Sequence, residues 1–96
     1  MHLEIITPEK KIFAGEVTAV QFPGLDGSFQ VLNDHAPIIS SLSEGEVKVD
    51  LTSSFENTGK LDELLSVDPS NNKVIRVKVK GGVVEMQNNK VIVLAE

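Results

Sequence analysis

An all-β fold, a sandwich or barrel of short antiparallel strands, follows from three observations in this sequence. Apolar and polar residues alternate with period two in several runs. Turn-forming clusters recur at short intervals. No stretch carries a long helical periodicity.

The runs can be taken in chain order. Leu3 to Ile6 is a short opening strand. A second strand runs from about Ile12 to Phe22, but its rhythm breaks: Val20 and Phe22 share a face, and Val17 is out of phase with them. An extra residue near Thr18-Ala19, forming a β-bulge, restores the register; cover on both sides of the sheet is the alternative. Val47, Val49 and Leu51 alternate with Lys48 and Asp50, and Ile75, Val77 and Val79 alternate with Arg76, Lys78 and Lys80. Both runs predict half-buried strands with a wet outer face. Val91-Ile92-Val93-Leu94 is apolar at every position and predicts a strand covered on both faces. Pro8-Glu9-Lys10, Pro23 to Gly27, Ser43-Glu44-Gly45 and Asn88-Asn89 carry turn chemistry. Gly81-Gly82 marks either a two-residue hairpin or a sharp bend. Between the strands, residues 52 to 72 form a long excursion. Leu61, Leu64 and Leu65 recur at helical spacing there and predict a turn or two of amphipathic helix.

Composition narrows the function. The 96 residues are expected to form a single domain, 1–96. The chain has no Cys, which excludes disulfides, Cys-bound zinc and a Cys nucleophile. Its net charge of −5 argues against nucleic-acid binding and against direct insertion into anionic lipid. The N-terminus lacks the basic region and long apolar core of a signal peptide, and a bacterial cytosolic setting is expected. No nucleophile elbow, P-loop or dinucleotide fingerprint is present. Glu44 and Glu46 read as surface carboxylates flanking a turn. His35, in Asn33-Asp34-His35-Ala36-Pro37, reads first as a histidine hydrogen-bonded into a rigid turn and second as an interface residue. No catalytic residues, cofactor or metal ligands are expected.

One resemblance is carried by the order of segments. Leu3-Glu4-Ile5-Ile6-Thr7-Pro8, Phe13-Ala14-Gly15, Gly24-Leu25-Asp26-Gly27, His35-Ala36-Pro37-Ile38-Ile39 and Gly45 come first. Gly81-Gly82-Val83-Val84-Glu85-Met86 and Asn89 to Ala95 close the pattern. Together these resemble the head domain of the epsilon subunit of F-type ATP synthase over residues 3–51 and 73–96.

The resemblance implies a flattened β-sandwich of about ten strands. It also implies a non-catalytic rotor part that binds the gamma subunit and rests on the membrane c-ring, peripheral to the cytoplasmic face of a bacterial membrane. Carried over by position, Thr7, His35, Ala36 and Ser40 fall on the gamma-facing or stalk-facing surface, with Pro37 and Ile38 in the same apolar run. Ser28 falls where the family approaches the ring.

Relatives often carry an acidic residue at the position of Ser28, and Pro-Gly where this chain has Asn33-Asp34. Residues 52–72 are an insertion relative to typical members, read as a surface excursion that covers the sandwich; an extra contact with gamma or a neighbouring stator part is the alternative. The family usually continues into a regulatory helical hairpin after the position of Glu96, so this chain is expected to couple rotation without braking it and to bind no ATP. The alternative reading is a free-standing β-sandwich binding module, which the lack of Trp and Tyr disfavours.

Overall fold

Period-two alternation dominates the architecture. The computed structural model describes residues 1–55 and 62–96. These form nine strands: β1 His2–Ile6, β2 Lys11–Gly24, β3 Gly27–Leu32, β4 Ile38–Leu42, β5 Gly45–Leu51, β6 Leu65–Val67, β7 Val74–Val79, β8 Gly82–Gln87 and β9 Lys90–Ala95. The count is one short of the expected ten among the described residues. The hydrogen-bonded order is β1-β9-β8-β4-β2-β5-β7-β6, with β3 and β1 also paired to β2. Only β1 and β9 run parallel; the other pairs are antiparallel.

The long strand β2 joins two layers. Its first half pairs with β1 through Glu16 opposite His2. Its second half pairs with β5 and β3. The changeover falls at the expected bulge: Val17 lies opposite Leu51 and Ala19 opposite Asp50, so Thr18 is the extra residue. The Thr18 hydroxyl donates to the Asp50 carbonyl at 3.2 Å, giving the bulged residue a partner. One layer is therefore β1, β9, β8 and β4, and the other is β3, β5, β7 and β6, with β2 in both. Inward side chains from every strand meet in one core. It includes Leu3, Val20, Phe22, Val49, Ile75, Val77, Val84, Met86, Val91 and Val93. The Phe22 and Phe29 rings lie 5.4 Å apart at a tilt, a favoured aromatic arrangement.

Gly81-Gly82 is the sharp bend and not a hairpin. β8 pairs with β4 and β9, never with β7. Both glycines have positive φ, +145° and +141°, which side chains disfavour. A Cβ on Gly82 would lie 2.3 Å from the Leu94 carbonyl oxygen. The β8–β9 hairpin turns on Asn88 and Asn89, with φ of 54° and 58°, as a primed two-residue turn requires.

Two expectations are corrected. In the 52–72 segment, Asp62 to Leu64 form a turn and Leu65 opens β6, paired to β7 at Val77. The expected helix thus does not include Leu65, and its beginning at Leu61 lies outside the described residues. The segment does cover the sandwich: Leu65 is in the core, and Phe55, Leu64 and Val67 pack against it. Second, the apolar run in β9 is covered on one face only. Val91 and Val93 are buried, while Ile92 is half-buried and Leu94 is exposed. Among the described residues, no third layer lies above the apolar outward residues of β9.

Candidate functional site

The register of the first layer builds one outward surface. In an antiparallel pair, residues directly opposite share a face, and along a strand every second residue does. Ser41, Val83 and Leu94 form one row across β4, β8 and β9, and Ile39, Glu85 and Ile92 form the next. Ile39 is 76% exposed, Leu94 56% and Val83 41%. A clustered exposure of large aliphatics on one sheet face marks a contact surface more than scattered single ones do.

The far side of this face is polar and internally satisfied. His2 places Nδ1 2.9 Å from Glu16 and Nε2 3.1 Å from Glu4. Lys11 reaches Glu4 at 3.3 Å. The His2 hydrogen bond, then the Lys11 ammonium, hold the Glu4 carboxyl below its ordinary value.

The residues singled out from sequence divide between the two ends of the sandwich. At one end, the His35 backbone N–H donates to the Leu32 carbonyl at 3.2 Å, and its ring Nδ1 sits 2.7 Å from the Ala36 carbonyl oxygen. This is the turn-bound histidine expected, and the side chain is exposed. Asp34 takes positive φ, and its N–H donates to the Asn89 side chain at 2.9 Å. Ala36 and Pro37 are exposed beside it.

At the other end, Ser28 is exposed opposite Pro23 on the β2–β3 hairpin. Thr7 is 8% exposed. Its hydroxyl donates to the Lys10 carbonyl at 3.1 Å and accepts from the Lys10 N–H at 3.2 Å. Thr7 therefore clasps the β1–β2 turn and presents little surface.

Between the ends lies β4, and here the phase matters. Leu42 is buried, so Ser40 and Ile38 point inward with it and Ile39 and Ser41 point outward. Ile38 packs against the core. Ile39, not Ile38, is the outward aliphatic. Sequence reasoning also missed Val83, Glu85, Ile92 and Leu94. Reading the alternation back from Leu42, and from Val84 and Val93, finds them all. Among the described residues, no group of His, Asp and Glu side chains is arranged to hold a metal, and no helix is long and apolar enough to cross a membrane.

Fold and surface define a class: a β-sandwich with one charged outer face and one outer face that exposes a cluster of aliphatics. Comparison with known proteins gives the family. Residues 1–59 match the family model for the ATP synthase delta/epsilon chain β-sandwich domain. The chain is 36% identical over 94 residues to the ATP synthase epsilon chain of Chlorobium limicola, covering 98% of this chain and 86% of that protein. It is 32% identical over 94 residues to the epsilon chain of Desulforamulus reducens, of which it covers 57%.

Among solved structures, it resembles a chain in the cryo-EM structure of the Tetrahymena thermophila mitochondrial ATP synthase central stalk and c-ring. The TM-score is 0.70 at 18% identity, over 99% of this chain and 62% of that one; this likeness shows the fold. The chain belongs to the ATP synthase epsilon-chain family, whose members are non-catalytic subunits of the complex.

Proposed function

We propose that this protein is a rotor element of a bacterial ATP synthase, fastening the gamma subunit to the c-ring so that ion flow and rotation stay coupled. One observation carries the reading. The outer face of β4, β8 and β9 exposes Ile39, Val83 and Leu94 side by side, with Ile92 half-buried among them. Family membership supports the gamma subunit as the occupant. His35, Ala36 and Pro37 flank this face at the end where β4 begins and extend it. Ser28, with exposed Leu25 nearby on the β2–β3 hairpin, lies at the opposite end and is assigned to the c-ring. The complex would hold the chain at the cytoplasmic side of the membrane.

The test is co-purification of the chain with the gamma subunit of the same synthase. The wild-type chain is expected to bind through an interface of roughly 1,200–2,000 Å². Ile39→Asp should abolish capture, His35→Ala should weaken it, and both variants should keep the wild-type unfolding temperature. Ser40→Glu should act differently, lowering stability as well, because Ser40 points inward. Unchanged capture by Ile39→Asp would move the gamma contact to another surface.

A further inference from the structure

The apolar face contains one group that its neighbours do not explain. Glu85 stands in the middle of β8, opposite Ile39 on β4 and opposite Ile92 on β9. Along its own strand, alternation puts Val83 on one side and Gln87 on the other. Three of its four nearest outward neighbours are therefore aliphatic.

On the same layer, Glu4 has Lys11 and His2, and Glu16 has His2. Among the described residues, Glu85 has no cation within ion-pair distance. Lys90, the cation of the adjacent row, shares a shallow hollow with Glu85 without coming within ion-pair distance of it. Two shallow depressions flank β8, of about 420 and 270 Å³, and both are lined by Glu85 and Gln87. The two side chains form a ridge between these hollows.

A free carboxylate here is stable because water solvates it. Any surface that covers Ile39, Val83 and Ile92 covers Glu85 as well, since it lies between them. Removing water from a lone carboxylate is strongly unfavourable unless a cation and hydrogen bonds replace it. We infer that the surface docking on this face brings a lysine or arginine side chain onto Glu85, and that this pairing fixes the register of the partner across β8. The inference rests on the docking proposed above and goes further, because it names the chemistry the gamma surface must present. Charge at this position contributes more to specificity and orientation than to gross affinity.

The experiment is calorimetric titration of the full chain against the gamma subunit of the same synthase. Four variants are compared: Glu85→Gln, Glu85→Lys, Ile39→Asp, and Glu46→Gln as a control carboxylate on the opposite layer. Glu85→Gln is expected to weaken binding by about ten- to a hundredfold, and Glu85→Lys by more, because each leaves the partner cation covered and unpaired. Glu46→Gln should bind as wild type does. Thermal unfolding of both Glu85 variants should match wild type, since the side chain is exposed.

If Ile39→Asp loses binding while Glu85→Gln binds as well as wild type or better, the face docks on gamma but no cation meets Glu85, and the inference is overturned alone. If neither position affects binding, the docking itself is wrong and the inference falls with it.

Discussion

The two layers of the sandwich alternate with the same period but turn opposite chemistry outward. On the β5–β7 side, the outward residues are Glu46, Lys48 and Asp50 with Arg76 and Lys78, and Glu46 stands across from Lys78. On the β4–β8–β9 side, Ile39, Val83, Ile92 and Leu94 face outward together with Ser41, Gln87, Lys90 and the carboxylate Glu85. Folding alone does not require this asymmetry. Both layers bury their inner faces in the same core, and a charged outer face serves solubility equally well on either side. On the proposed reading, one layer is finished by water and the other is left for a partner. Each experiment below breaks or sharpens that contrast.

The largest effect is expected where the layers are one. Phe22 is fully buried on β2, the strand that belongs to both layers, and it stacks near Phe29. Phe22→Ala should cost about 3–5 kcal/mol, through lost burial and a residual cavity. If the core is shared, urea unfolding should remain a single transition by circular dichroism and by calorimetry. Two separated transitions would show that each layer folds by itself, and the contrast would then be between two folding units.

Next comes the contrast itself. Ile39→Asp on the apolar face should weaken gamma binding by about 2–4 kcal/mol, the range of a central contact, while leaving stability within about 0.5 kcal/mol. The matched change on the other layer, Lys48→Asp, should leave gamma binding unaltered. Equal losses from both would mean that the partner wraps the whole sandwich.

A smaller effect is expected at the bend that carries the chain between layers. Gly82 has φ +141°, and a side chain there would meet the Leu94 carbonyl. Gly82→Ala should destabilise the fold by about 1–3 kcal/mol, read by thermal unfolding. It should also disturb gamma binding, because Leu94 and Val83 adjoin the bend on the apolar face. Gly81 also takes positive φ, but an added Cβ there would make only ordinary contacts, at 3.4 Å and beyond. Gly81→Ala should therefore cost less, from backbone strain alone.

How much of this was legible in the sequence depends on what each residue has to distinguish. The half-polar strands β5 and β7 were readable because one side of each is written in charges. The bulge at Thr18 was readable because Val17 and Val20 cannot share a face without an extra residue. The turn-bound His35 followed from Pro37 and its Asn-Asp neighbours.

The rest was hidden for separate reasons. The run Val91 to Leu94 reads as covered on both faces, whereas the described residues leave Leu94 exposed and Ile92 half-buried. A face hidden by the chain and a face left apolar for another chain use the same residues, and periodicity does not tell them apart. Which of Ile38 and Ile39 faces outward needs a phase, and the buried Leu42 supplies it. Thr7 entered by position in the resemblance alone; its clasp on the turn depends on Lys10 folding back. Strand β6 was invisible because three residues give no period, and only the pairing with β7 defines it.

The smallest effect concerns the edge of the solvated layer, where an ion pair adds to the pairing of β6 with β7. Arg76 Nη1 donates to Asp68 Oδ2 at 2.8 Å, and the other carboxylate oxygen accepts from the Ser70 N–H and hydroxyl, each at 2.8 Å. The Arg76 guanidinium first, then the two Ser70 donors, hold the Asp68 carboxyl well below its ordinary value of 3.8. A carboxyl depressed in this way binds its proton less readily in the folded state than in the unfolded one. Its pairing therefore supports the fold above the unfolded value, and that support is lost as pH falls through the folded value. The pair is near the surface and screened, so the contribution is small. Arg76→Gln should accordingly lower the unfolding temperature slightly between pH 5 and 7, by a constant amount, and the gap to wild type should narrow only below about pH 4. The apolar layer offers the matching control. Leu94→Gln carries no titratable group, so its difference from wild type should stay flat across the same range. A gap for Arg76→Gln that also stays flat down to pH 2 would mean that the arginine acts through the packing of its stem against the sheet and not through its charge.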